Sequence, residues 1–146
     1  MNYFTFFELE YSKKAVENNI KNAPTPEVED NLRLLVENLL DPLRELYGEP
    51  IIIGSGFRNE KVNKLVGGVK NSQHKSGCAA DLQTGSISEN RKLAKLLAES
   101  GLPFDQLIDE QNFHWVHVSY DPSGHQRREI LRIINKVTKR ITAKEL

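Results

Sequence analysis

Ser72-Gln73-His74-Lys75-Ser76-Gly77-Cys78-Ala79-Ala80-Asp81 places an imidazole and a carboxylate seven residues apart, with a glycine between them. Gly77 can take the tight backbone geometry that returns a loop as a strand, so both groups can aim at one point. That strand would run from Ala79 to Gln83. A second stretch, His114-Trp115-Val116-His117-Val118-Ser119-Tyr120, reads as a strand too. Side chains alternate along a strand, so His117 shares a face with Trp115 and Ser119, while His114 faces away with Val116 and Val118. His117 is the better third ligand, and His114 can join only if the turn bends the strand at Phe113. Two histidines, one aspartate and an open fourth position describe a catalytic zinc site, because structural sites usually close with four protein ligands rich in cysteine. The competing reading makes each histidine a hydrogen-bonded core residue, since a histidine pair three apart does not share a face on a strand as it would on a helix.

Such an ion suits amide hydrolysis, and the part still needed is a general base. Glu110, at the end of the preceding strand, could reach across the turn; His114 could serve from the other side, and Asp109 is a third choice. Arg58, just past the Ile51-Ile52-Ile53 run, could hold a terminal carboxylate with two parallel hydrogen bonds or could form a surface salt bridge. Ser72 either bonds substrate or caps the turn before His74, and Trp115, beside His117, is a candidate substrate contact. Cys78 reads as a small buried filler.

The longest helical signal is Val28, Leu32, Leu35, Val36, Leu39, Leu43 and Leu46, with Thr25 as cap, Pro26 in the first turn and Gly48 and Pro50 at the end. Pro42 inside it predicts a kink or a broken turn near Asp41. Upstream, Phe4 to Glu10 reads as extended and Ser12 caps a short helix through about Asn22. Downstream come a buried strand at Ile51 to Ile53, a helix from Glu60 to Leu65 capped by Asn59, and the Gly67-Gly68 turn. Ser86 or Ser88 opens a helix that Gly101 ends, and Phe104 to Asp109 and Trp115 to Tyr120 form two antiparallel strands. Arg127 to Ile134 fits strand or helix, and the polar, lysine-rich residues from about 135 read as a frayed or surface-packed tail.

With 146 residues the chain fits one domain, expected to be a monomer. Twenty Lys and Arg balance twenty Asp and Glu, so no global field recruits nucleic acid or an anionic membrane, and partners are to be sought in a local site. One cysteine excludes an intramolecular disulfide. The first residues lack a basic region, a sustained apolar run and a small-residue cleavage site, which predicts a cytoplasmic protein, and any extracytoplasmic role would need another route out.

Ser72-x-His74-x-x-Gly77-x-Ala79-x-Asp81 resembles, position for position, the SxHxxGxAxD signature of the M15 family of zinc D-Ala-D-Ala carboxypeptidases and related peptidoglycan peptidases. Ser55-Gly56-Phe57-Arg58 is similar to the family's SGYR segment, Asn63 through Gly68 to its N-x-x-V-G-G turn, and Trp115 to Tyr120 to its WVHVSY strand. The resemblance covers about Leu39 to Tyr120. It implies one M15-like metallopeptidase domain over 1–146 with an α+β fold, a small antiparallel sheet and packed helices, like the hedgehog and DD-peptidase domains. It also implies Zn2+ held by His74, Asp81 and His117, with Arg58 as carboxylate anchor and a peptidoglycan stem peptide as substrate. Several members carry the catalytic Glu three residues before the last ligand, where this chain has His114. Glu110, after Asp105-Gln106-Leu107-Ile108, is similar to the acidic residue of short phage-type members and is the preferred base. The expected activity is that of a carboxypeptidase or an endolysin-type endopeptidase, the alternative being a catalytically inactive zinc-binding or peptide-binding module of the same fold.

Overall fold

Thr25 opens the long helical run by accepting the Val28 amide on its hydroxyl at 3.3 Å, with Pro26 next to it in the first turn. The structure, a computed structural model of residues 1–146, carries this run through three segments. Helix α3 spans Pro26–Leu35, a π-helical turn spans Val36–Leu40, and α4 spans Asp41–Tyr47 before Gly48 ends it at φ 79°. The disturbance expected of Pro42 takes the form of that wider turn. Asp41 donates its N–H to Val36, five residues back, and Pro42 falls in the first turn of α4, so the axis continues without a break.

The N-terminal segment differs from its expected extended form. Thr5 and Glu8 make a reciprocal capping box, Thr5 Oγ1 accepting the Glu8 amide at 3.2 Å and the Glu8 carboxylate accepting the Thr5 amide at 3.0 Å. This starts helix α1, Phe6–Glu10, in place of a strand. The Ser12-capped helix α2 is shorter than expected, Lys13–Glu17.

Six strands form one sheet: β1 Ile52–Ser55, β2 Ala79–Gln83, β3 Gln106–Glu110, β4 Trp115–Ser119, β5 Glu129–Ile134 and β6 Val137–Arg140. Their spatial order is β1-β2-β4-β3-β5-β6. The expected α+β class holds, with antiparallel pairing throughout the sheet except that β5 runs parallel to β3. β1 lies at the sheet edge, which leaves Ile52 58% exposed instead of buried. Helices α5, Glu60–Leu65, and α6, Ile87–Glu99, start at their Asn59 and Ser86 caps. The C-terminal residues are also more ordered than a surface tail. Asn135 and Lys136 take φ of 50° and 67° in a two-residue turn from β5 to β6, and Ile141 and Leu146 are buried.

The two faces of the sheet divide the work. Ala80, Leu82, Leu107, Val116 and Val118 point into the core against Leu32, Leu35, Leu39 and Leu43 of the long run and Leu93 and Leu97 of α6. The register pairs Ser55 with Asp81, Asp81 with His117 and His117 with Ile108, which lines these residues across the opposite face. No helix is long and apolar enough to cross a membrane.

Candidate metal centre

His74 rides on a 3-10 turn, Gln73–Ser76, whose first amides are capped by Ser72; Ser72 Oγ accepts the His74 N–H at 3.2 Å. Gly77 ends the turn at φ 76°, packed so closely on α3 that a Cβ there would lie 2.7 Å from the Val28 carbonyl oxygen. A side chain at 77 would meet both left-handed strain and this overlap, so glycine is what lets the loop re-enter as β2 and bring Asp81 back beside His74.

The imidazole of His74 is 2% exposed, and its Nδ1 lies 2.7 Å from the Gly56 carbonyl. A carbonyl only accepts, so Nδ1 carries the proton and Nε2 presents a lone pair. Nε2 is 3.2 Å from Asp81 Oδ1 without making a hydrogen bond to it, and His117 Nδ1 is 3.2 Å from the same oxygen. The two rings meet edge to face at 5.1 Å. His117 Nε2 is likewise buried without a partner. The His74 lone pair faces that carboxylate oxygen with no proton between them, a repulsive contact that a cation would relieve, while His117 Nδ1 can donate to the same oxygen. The three residues offer ligand atoms within 4.8 Å of one another and could hold a metal ion. Donors of a tetrahedral site with bonds of ~2.0–2.1 Å stand ~3.3 Å apart, close to the 3.2 Å measured around Asp81 Oδ1. Burial pushes the Asp81 carboxyl up, but the neighbouring imidazoles of His74 and His117 overcome it and hold the group far below the usual carboxylate range.

Arg58 stands on the other side of Asp81, with Nη2 3.5 Å from Oδ2, Nε donating to Ser55 Oγ at 3.0 Å and Nη1 to Asn63 Oδ1 at 3.0 Å. Three of five N–H groups are thus engaged and two remain. Burial lowers the guanidinium's pKa while Asp81 and Glu110 oppose the shift. Asn63, 2% exposed, is fixed in turn by donating Nδ2 to the Val69 carbonyl at 2.8 Å. The approach of Asn63 and Arg58 depends on Gly68, where a Cβ would sit 2.1 Å from Asn63 Oδ1 and 2.7 Å from Arg58 Nη1.

Glu110 pairs with Trp115 across β3 and β4, so both share the face of His117. Burial raises the Glu110 carboxyl, with His117 and Arg58 pulling it down and Asp81 and Asp109 pushing it further up. His114 is exposed, with Nδ1 bonded to the Gln111 carbonyl, and lies outside the converging ligands. Asp109 is 1% exposed on the core face, where Oδ2 accepts Arg132 Nε at 2.6 Å. Cys78 is buried, which raises its thiol pKa and keeps it a poor nucleophile.

Other supports escape a reading of local spacing. Asp105 accepts Arg127 Nη2 at 2.6 Å and Gln73 Nε2 at 3.0 Å, tying the turn that bears His74 to the start of β5. The Asn63 support leaves a trace in the Gly67-Gly68 pair, which signals a close approach, and in the N-x-x-V-G-G likeness, but neither names Arg58 as the partner. A surface groove lies elsewhere, between α1 and β1, lined chiefly by Tyr3, Phe4, Phe7, Tyr11 and Ile51 to Ile53, and the converging ligand atoms are not part of it.

The model of the family described as Peptidase M15 matches residues 2–119. No curated protein matches the chain.

Proposed function

The chain belongs to the peptidase M15 family, and from that premise we propose that it is a zinc metallopeptidase hydrolysing an amide bond in peptidoglycan stem peptides. Membership brings the hedgehog and DD-peptidase fold, in keeping with the α+β architecture. Peptide substrates follow from the family; the stem peptide and the zinc are the reading offered here. The observation that carries it is the meeting of His74 Nε2 and His117 Nδ1 at 3.2 Å from one Asp81 oxygen, with His74 Nε2 buried and without a hydrogen-bond partner.

His74, Asp81 and His117 would hold the ion, which when bound polarises the scissile carbonyl and acidifies water. Gly56 fixes the tautomer of His74, and Arg58 holds the second oxygen of Asp81 while offering its two remaining N–H groups to a substrate's terminal carboxylate. Glu110 takes the proton from the attacking water and passes it to the leaving amine, its raised pKa moving it toward the range useful to a base. Ser72 holds the turn under His74, and Trp115 offers an apolar wall beside the reacting bond. Carboxypeptidase action is favoured because Arg58 keeps two donors free next to the ligand cluster.

Two measurements test this. Zinc content of protein purified without added metal is expected near one equivalent and negligible in His74→Ala; equal, negligible zinc in both refutes the metal site. Mass analysis of muropeptides after incubation is expected to record loss of a terminal D-Ala, whereas a cut cross-link would assign endopeptidase action and intact substrates with zinc bound would favour a binding module.

A further inference from the structure

Between β3 and β4 the chain does something costly: Gln111, Asn112 and Phe113 take φ of 52°, 55° and 62°, three consecutive non-glycine residues in the left-handed region. Glu110 is the last residue of the strand that enters this turn. We propose that Asp109 is a positioning residue for Glu110, acting by locking the left-handed turn; the inference rests on the reading of Glu110 as the base.

Strain of this kind persists only where the surroundings over-determine it, and here they do. Asp109 Oδ1 accepts the Phe113 amide at 2.6 Å, while Oδ2 is held by Arg132. Asn90 on α6 donates to the Phe113 and His114 carbonyls at 2.8 and 3.2 Å. The Gln111 amide donates to Ile133, the Asn135 amide to Gln111 Oε1, and the Phe113 ring is buried beneath the Arg132 guanidinium. Asp109 and Glu110 are neighbours on opposite faces of β3, so Asp109 cannot touch a substrate bound over His117. Its carboxylate instead closes the turn from the core side, and Glu110 emerges on the site side with one backbone direction. Glycine in this turn would reach these φ values with less strain and so would depend less on the Asp109 carboxylate to hold the turn. Proton transfer between water and a leaving amine tolerates little freedom in the base.

The test compares wild type, Asp109→Ala, Asp109→Asn and Asp109→Ala combined with Asn112→Gly, reading zinc content, kcat, KM and hydrogen exchange of the Phe113 amide. Asp109→Ala is expected to keep its zinc and its KM within about twofold while kcat falls by about tenfold to a hundredfold and the Phe113 amide exchanges faster. Asp109→Asn, which retains an acceptor for that amide, is expected to keep most of the rate. Asn112→Gly, by lowering the cost of the left-handed turn, is expected to recover part of kcat. If Asp109→Ala does not fold with Arg132 left unpaired, Asp109→Ala/Arg132→Met removes both charges and makes the same comparison. An unchanged kcat, a parallel loss of zinc and kcat, or no recovery by Asn112→Gly overturns the proposal. Wild-type protein that binds zinc but cleaves no muropeptide overturns the reading of Glu110 itself, and the positioning role with it.

Discussion

Replacing Gly68 by alanine attacks the arginine without touching it. The new methyl would lie 2.1 Å from Asn63 Oδ1 and 2.7 Å from Arg58 Nη1, so the amide oxygen must retreat by about 1 Å to reach an ordinary contact. Asn63 has little room to do so, being 2% exposed, bonded through Nδ2 to Val69 and accepting the Gly68 amide on its own carbonyl at 2.9 Å. The 3.0 Å bond from Arg58 Nη1 is what gives way. A hydrogen bond to a charged group contributes about 1.5–3 kcal/mol, which for a chain of this size lowers Tm by about 5–9 °C. An anchor displaced by about 1 Å lowers kcat/KM up to about a hundredfold, chiefly through KM. The assay is muropeptide hydrolysis with zinc content and thermal unfolding measured on the same preparation, beside Gly67→Ala as control. Gly67 has φ 74° and nothing within 4 Å of an added methyl, so that variant loses about 1 kcal/mol of stability to strain and keeps its kcat/KM. A substrate with an amidated C-terminus should be cleaved equally poorly by wild type and Gly68→Ala. Wild-type kcat/KM in Gly68→Ala, or loss of zinc in step with activity, refutes the reasoning.

Glu110→Gln should lower kcat by about a hundredfold to ten-thousandfold with zinc retained, whereas the exposed His114→Ala should stay within about threefold; the reverse order would move the base to His114. Because burial raises the Glu110 carboxyl, the acid limb of the rate profile is expected above the usual glutamate value of 4.5, and its disappearance in Glu110→Gln is the check. The hydrogen bonds of Arg127 lower the pKa of Asp105 below its usual 3.8. A lowered carboxylate contributes stability that is complete above its unfolded pKa and is lost as pH falls through the folded one, so denaturant titrations should record a loss below about pH 4 that Asp105→Asn flattens. Leu39, fully buried beneath the sheet, should cost about 2–5 kcal/mol when cut to alanine; a change under 1 kcal/mol in urea unfolding would remove it from the core.

What could be read in advance was what short-range geometry encodes. Gly77 between His74 and Asp81 announces a turn that must close, and alternation in β4 separates His117 from His114 before any fold is known. The leucine repeat from Val28 likewise carries its helical period in its spacing. The parallel pairing of β5 with β3 does not, since strands joined by a long crossover leave no local signature of their partner. For the same reason nothing local pairs Arg127 and Arg132 with Asp105 and Asp109, which the sheet brings to them from 22 and 23 residues away. The α1 helix does leave a local sign: Thr5 and Glu8 have capping-box spacing, but the aromatic-rich stretch from Phe4 to Glu10 reads as extended when the cap is ignored.

The charge pairing between β5 and its neighbours bears on how this protein can be recombined with others. The family model matches residues up to 119, yet the counter-ions for two buried aspartates inside that span come from Arg127 and Arg132, beyond it. A chimera that replaced residues 120–146 with an apolar strand pair of the same shape would strand both carboxylates in the interior, one behind the turn of His74 and the other behind that of Glu110. Transplants in this region will therefore succeed as matched sets, two cations travelling with two anions, or with both aspartates exchanged for neutral residues at the same time.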